Sequence, residues 1–192
     1  MSQVEVILSG FGGQGALFAG QVLAEAALLE DRHVTWLPSY GPEMRGGTAH
    51  CTVIVADEPI GAPIVQRPWA VIALNRPSLA KYEPLVAPRG CLVINTTLVP
   101  DAPTRDDLQL IEVPATATAE ELGSVKLTNM VSLGALLAVK PIVGLEAAKQ
   151  ALATKVDKAA PALAEANQLA LQAGYEWAEQ LMASRLAMNE GE

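Results

Sequence analysis

The run Gly10-Phe11-Gly12-Gly13-Gln14-Gly15 lies between a short β-branched stretch, Val4-Glu5-Val6-Ile7-Leu8, and a span from Ala16 to Leu29 in which apolar and small residues continue without a breaker. That order reads as strand, tight loop, helix, the setting in which a G-x-G-x-x-G pattern has physical meaning. Further along, short apolar runs alternate with helical stretches. The extended runs are His33-Val34-Thr35-Trp36-Leu37, residues 48–56, Trp69-Ala70-Val71-Ile72-Ala73-Leu74, Cys91-Leu92-Val93-Ile94 and Gln109-Leu110-Ile111-Glu112-Val113. The helical stretches are residues 77–82, residues 129–139 and an Ala-rich tail, 145–187, interrupted near Pro141 and Pro161. Strands that are apolar without alternation are expected to be buried on both faces, which predicts a three-layer α/β fold: a mostly parallel sheet, helices on both faces and a Rossmann-like start. A chain of 192 residues is long enough to bury a continuous core, so residues 1–192 are expected to form one domain that includes the helical segment 145–187. In such sheets ligands bind beyond the carboxyl ends of the strands, here residues 10–15, 38–47, 75–78 and 95–98.

Composition narrows the function classes. With 51% hydrophobic and 18% charged residues the chain is too apolar for disorder, yet no run approaches the ~18 apolar residues of a membrane span. Met1-Ser2-Gln3 leads into the first strand with no basic segment before it, so a cytoplasmic location is expected. A formal charge of −8 repels phosphodiester backbones, and nucleic acid is not an expected partner. Apolar content this high with so few charges fits either an Ala-rich core or a surface covered by another protein. Cys51 and Cys91 are too few for an iron–sulfur cluster, and with His33 and His50 they do not form the close pairs of a zinc site. Any electron-transfer centre is therefore expected in another chain, and no metal site is expected in this one.

Glycines in the first loop let backbone N–H groups and the positive end of a helix approach an anion closely. The same glycines also suit a tight turn with close helix packing, and both readings stand. A dinucleotide additionally needs a carboxylate at the end of the second strand to hold ribose hydroxyls. That strand ends Thr35-Trp36-Leu37-Pro38-Ser39, and Glu30 and Asp31 precede it. A Walker-type phosphate loop is excluded because Gly15 is followed by Ala16-Leu17. The second loop, Pro38-Ser39-Tyr40-Gly41-Pro42-Glu43-Met44-Arg45-Gly46-Gly47, presents a phenol, a carboxylate and a guanidinium where loops of a parallel sheet reach the ligand crevice. Arg45 suits carboxylate or phosphate; a solvated surface turn is the alternative.

These segments carry a resemblance. Gly10 to Gly15, then Ala19-Gly20-Gln21-Val22-Leu23-Ala24, the second loop continuing into Thr48-Ala49, Gly90-Cys91-Leu92-Val93-Ile94-Asn95, and Thr128-Asn129-Met130-Val131-Ser132-Leu133-Gly134-Ala135 together are similar to the gamma subunit of 2-oxoacid:ferredoxin oxidoreductases, of the 2-oxoglutarate or pyruvate type. The resemblance runs from about residue 4 to 139. It implies a non-autonomous enzyme subunit in a complex that decarboxylates a 2-oxoacid oxidatively to an acyl-CoA, with thiamine diphosphate and iron–sulfur clusters held by alpha, beta and ferredoxin-like delta subunits and ferredoxin as acceptor. The gamma chain would position coenzyme A. Gly10, Gly12, Gly13, Gln14 and Gly15 would line its phosphates, Ser39, Tyr40, Glu43 and Arg45 the facing loop, and Asn95 a strand end; Asn129 either caps a helix or meets the ligand. No catalytic nucleophile is expected. A purely structural subunit of the same complex and an independent dinucleotide-binding oxidoreductase remain as alternatives.

Overall fold

The computed structural model describes residues 3–39, 48–101, 103–156 and 161–189. Six segments are extended: β1 (Gln3–Phe11), β2 (His33–Ser39), β3 (Thr48–Ala56), β4 (Ala70–Ala73), β5 (Cys91–Asn95) and β6 (Gln109–Val113). They form one sheet in the order β2-β3-β1-β4-β5-β6. Along β1, β4, β5 and β6 the pairing is parallel, while β3 runs antiparallel between β1 and β2. The sheet is therefore mixed, with β3 alone reversed. Antiparallel neighbours need only a short connection, and β2 leads to β3 through residues 40–47 alone.

The central strands are buried as their composition predicts: every residue of β4 and β5 is inaccessible to solvent. Their side chains alternate between two cores. Val6, Leu8, Ala70, Ile72, Cys91 and Val93 face one; Ile7, Val71, Ala73, Leu92 and Ile94 face the other. The edge strands differ. β2 is exposed or half-buried along its whole length and β6 is buried only at Ile111 and Val113, so burial on both faces belongs to the interior strands and not to the two edges.

On the first face lie α1 (Ala16–Leu29), α3 (Ala115–Glu121), α4 (Thr128–Val139), α5 (Leu145–Lys155) and α6 (Pro161–Asn189). The opposite face is covered by α2 (Arg76–Tyr82) and the chain that follows it, through Leu79, Tyr82, Val86 and Val99. Helix α3 has no counterpart among the expected helices; its seven residues, Ala-Thr-Ala-Thr-Ala-Glu-Glu, are held by burial of Ala115 and Ala119 and not by an amphipathic repeat long enough to be read from sequence. Glycines set the spacing of the long helices. A Cβ at Gly134 would stand 1.9 Å from the Leu171 carbonyl oxygen, and one at Gly174 would stand 1.8 Å from that of Val131, so α4 and α6 touch backbone to backbone. Helix α6 also shields the β6 edge. Its Trp177 indole N–H donates to Glu112 O at 2.9 Å and the Arg185 guanidinium donates to Leu110 O at 2.5 Å, occupying carbonyls that would otherwise invite another strand. Among the described residues no helix is long and apolar enough to cross a membrane.

Candidate functional site around the glycine loop

Strand β1 is longer than its apolar run. Antiparallel pairing with β3 continues through Gly10 opposite Ala49 and Phe11 opposite Thr48, so the first glycine is a strand residue and the loop proper is residues 12–15. The reason is local packing: a side chain at Gly10 would meet the Gln14 amide oxygen at 2.8 Å and Leu74 at about 3.0 Å. Gly13 and Gly15 have φ of 94° and 76°, a left-handed backbone that favours glycine. Gly15 opens α1 without a side-chain cap, so the first-turn amides of that helix, unpaired within it by geometry, receive no side-chain acceptor.

Gln14 turns inward. Its amide oxygen accepts from Phe11 N at 2.7 Å and from Asn75 Nδ2 at 2.9 Å, and its amide nitrogen faces Leu74 O at 3.4 Å. Asn75, buried at the end of β4, uses its own oxygen to cap α2 through Ser78 N at 2.9 Å. The connections after β1 and β4 go to opposite faces of the sheet, so the gap between these strand ends is the topological switch point where open α/β sheets hold their ligands. Here carboxamides close it. Asn95 extends the same brace: its nitrogen donates to Leu74 O at 3.3 Å and to Thr116 Oγ1 at 2.9 Å, and its oxygen accepts from Thr116 N at 3.1 Å. Asn129 clamps the other side of the loop, donating to Gly15 O at 3.0 Å and accepting from Met130 N at 2.9 Å. It thus bonds an amide in the first turn of α4 and fixes the loop at once.

Of the residues expected at a site, Gly10, Gly12, Gly13, Gln14 and Gly15 lie together at one end of the sheet. Ser39, exposed at the end of β2, pairs in register with His50, the neighbour of Ala49 on β3. Both anchors of the second loop, Ser39 and Thr48, therefore stand beside the glycine loop. Tyr40, Glu43 and Arg45 lie outside the described residues. Asn95 is joined to the group through Leu74 O, with its carboxamide already engaged by protein partners.

Two hollows flank the loop. The smaller, about 240 Å³, is bounded by Phe11, Gly12, Leu17 and Ala49. A larger one, about 540 Å³, opens between Gly13, Gly15 and Phe18 on one side, Leu127 and Asn129 on another, and Leu163 and Asn167 of α6 on the third. Lys126 and Lys155 also line it. Lys155 pairs with Glu25 at 2.7 Å; Lys126 is exposed and has no ion-pair partner among the described residues. Sequence reading missed both lysines and Asn167. Lys126 lies two positions before the Thr128 to Ala135 motif and was within reach of it, whereas Lys155 and Asn167 sit in Ala-rich helix with no local signal. The thiols take no part: burial pushes Cys51, whose thiol donates to Ala16 O at 3.5 Å, up to about 12, and burial does the same to Cys91, also to about 12. Protonated thiols of this kind are poor nucleophiles and metal ligands. Among the described residues no three His, Cys, Asp or Glu side chains cluster as a metal site.

Residues 5–177 match the family model described as pyruvate ferredoxin/flavodoxin oxidoreductase. The chain is 38% identical over 179 residues to a 2-oxoglutarate synthase subunit KorC from Methanothermobacter thermautotrophicus, covering 90% of this chain and 93% of that one. It is 41% identical over 144 residues to a ketoisovalerate oxidoreductase subunit VorA from Methanothermobacter marburgensis, covering 75% of this chain and 30% of the relative. It thus spans about a third of the VorA length and nearly all of KorC. Among solved structures, the gamma subunit of a keto/oxoacid ferredoxin oxidoreductase from Geobacter sulfurreducens superposes with a TM-score of 0.79 at 33% identity, covering 91% of this chain and 98% of that one.

Proposed function

The chain belongs to the pyruvate ferredoxin/flavodoxin oxidoreductase family, and from that premise we propose that it is the gamma-type subunit of a cytoplasmic 2-oxoacid:ferredoxin oxidoreductase, working with alpha, beta and ferredoxin-like chains and contributing the coenzyme A side of the reaction. The substrate class is a 2-oxoacid such as 2-oxoglutarate or pyruvate. In this reading residues 1–192 act as one domain and carry no nucleophile or redox centre of their own; thiamine diphosphate and the iron–sulfur clusters belong to the partner chains and supply the carbon and electron chemistry. What this chain does is bind and orient an acceptor thiol, and orientation alone lowers a bimolecular barrier substantially.

The observation that carries the reading is the glycine loop: Gly13 and Gly15 present backbone, not side chain, next to a 540 Å³ hollow with two lysines on its wall, and Gly12 lines the smaller hollow beside it. That donor set fits a pyrophosphate-bearing ligand. Ser39 on the neighbouring strand, together with Tyr40, Glu43 and Arg45 in the loop it begins, is assigned to the same ligand on the strength of the sequence resemblance. Gln14 and Asn95 are placed in this reading as supports of the loop, since their carboxamides are spent on protein partners. A purely structural role predicts a different mutant phenotype. Arg45→Ala should leave co-purification with the alpha and beta chains intact while lowering 2-oxoacid-dependent ferredoxin reduction at limiting coenzyme A about tenfold, as expected for loss of one charge-assisted contact. Full activity and unchanged coenzyme A affinity in an intact complex would remove Arg45 from the ligand site; a complex that falls apart with unaltered affinity in what remains would favour the structural role.

A further inference from the structure

We propose that the outer edge of β2 is where another subunit of the complex adds a strand: an extended segment, apolar at alternate positions and flanked by Lys or Arg, pairs with β2 and seats one side chain in the hollow beside it. The proposal rests on the gamma-subunit reading for the existence of the partner, and on the sheet for its place. The sheet ends at β2 on one side and at β6 on the other. The β6 edge is closed by Trp177 and Arg185, which bond to its carbonyls. Nothing does the same along β2. Its ladder is to β3 alone, and among the described residues no side chain or loop bonds to its outer main-chain groups. An unpaired row of N–H and C=O groups is a template for another strand, which natural sheets blunt with lysine, proline or a cover. β2 has one proline, Pro38, and no lysine.

The flanks of this edge suit a strand. Val34 and Trp36 pack toward the first core, and beside them, against α1, lies a hollow of about 290 Å³ bounded by Ala24 and Leu28, with Glu25 and Lys155 also on its wall. A strand added about 4.8 Å beyond β2 points every second side chain to this face, and the hollow has room for one of them. Leu28 is 53% exposed there, and Leu37, on the opposite face of β2, is 41% exposed. An added strand thus covers an apolar residue on each face of the sheet, the mode in which main-chain bonds give affinity and sockets for alternate side chains give specificity. Charge selects the occupant. The turn into β2 carries Glu30 and Asp31, while Arg32 is already paired with Asp57 at 2.9 Å and Lys155 with Glu25 at 2.7 Å, so carboxylates are in excess beside the edge. A second copy would bring the same carboxylates and the same net charge of −8, which opposes self-association. A segment flanked by Lys or Arg is drawn in.

The test is hydrogen exchange of the β2 amides, read by mass spectrometry, in the full chain alone and in its complex with co-expressed alpha and beta chains. The β2 amides that do not bond to β3 are expected to exchange at least about tenfold more slowly in the complex, whereas those of β5, paired on both sides, change little. Leu28→Lys and Leu37→Lys, both at exposed positions, should leave the melting temperature of the isolated chain unchanged and weaken assembly about tenfold as each buried leucine contact is lost. Leu28→Met should assemble as wild type does. A complex in which β2 exchange is unchanged and both lysine variants bind as tightly as wild type would overturn the edge proposal while leaving the gamma-subunit reading in place. Protection of β2 in the isolated chain that grows with concentration, together with a doubled mass, would give the edge to a second copy and overturn the choice of partner. A chain that assembles with neither alpha nor beta would overturn the subunit reading and this proposal with it.

Discussion

At the end of β1 one carboxamide joins three segments, and that residue shows how much of the site is support. Gln14 accepts from Phe11 N at 2.7 Å and from Asn75 Nδ2 at 2.9 Å, so removing its oxygen strands two donors in a part-buried place, at a cost of about 1–3 kcal/mol. Gln14→Leu should lower the urea midpoint accordingly and speed hydrogen exchange at the Phe11 amide, whereas Gln14→Glu, which keeps an acceptor for both donors, should lose less. Equal losses for the two variants would mean that packing, not the hydrogen bonds, holds the loop. The cysteines give a pH prediction. Each folded thiol holds its proton up to about 12 against an ordinary value of 9.0, so the folded state binds protons more tightly than the unfolded one. Their contribution is then fully present below about pH 9 and is lost as pH rises toward 12. The urea midpoint should fall across that window, and the fall should be shallower in Cys91→Ala; identical slopes in the two proteins would contradict the assignment to the buried thiol.

Among the elements, the crossing of α4 and α6 carries the tightest packing. Glycine inside a helix costs roughly 0.5–1 kcal/mol relative to alanine, and Gly134 and Gly174 offset that cost by letting each helix meet the other's backbone. Gly134→Ala gains helix propensity but places a methyl against the Leu171 carbonyl, and the clash should dominate, destabilising the fold by about 1–3 kcal/mol. A raised melting temperature in this variant would show that the helices can part without penalty. A similar constraint acts on α1, where a Cβ at Gly20 would stand 2.3 Å from Cys51 Sγ and 3.0 Å from the Trp36 indole nitrogen. Gly20 and Gly134 belong to segments that looked family-like in sequence, Gly174 does not, and all three stand where a Cβ would collide with a neighbouring element. The short α3 escaped sequence reading for the opposite reason: seven residues carry too little periodicity, and its start is held by long-range bonds that Thr116 N and Ala117 N donate to the side-chain oxygens of Asn95 and Thr97.

For the whole molecule, local chemistry already determined the succession of elements. Continuous apolar runs such as residues 70–73 and 91–95 can be satisfied only in a covered sheet, and the breaker-free stretch after Gly15 can only be helix, so the α/β class and the place of the glycine loop were legible from residue order. The segments from Gly10 to Ala135 also carried the family resemblance along the chain. Three features were decided by the tertiary structure. The reversal of β3 depends on pairing with β1 across 37 or more positions, as the 41 between Ser9 and His50. Closure of the switch point depends on Gln14 meeting Asn75, 61 positions away. The hollow with its two lysines draws its walls from Gly13 to Asn167, and the Gly15–Asn129 clamp beside it spans 114 positions. Periodicity and turn chemistry act over a few residues and can be read along the chain. Which distant side chains meet is set by packing the whole core at once, and it is that packing which brought Asn75 and Asn129 against the glycine loop.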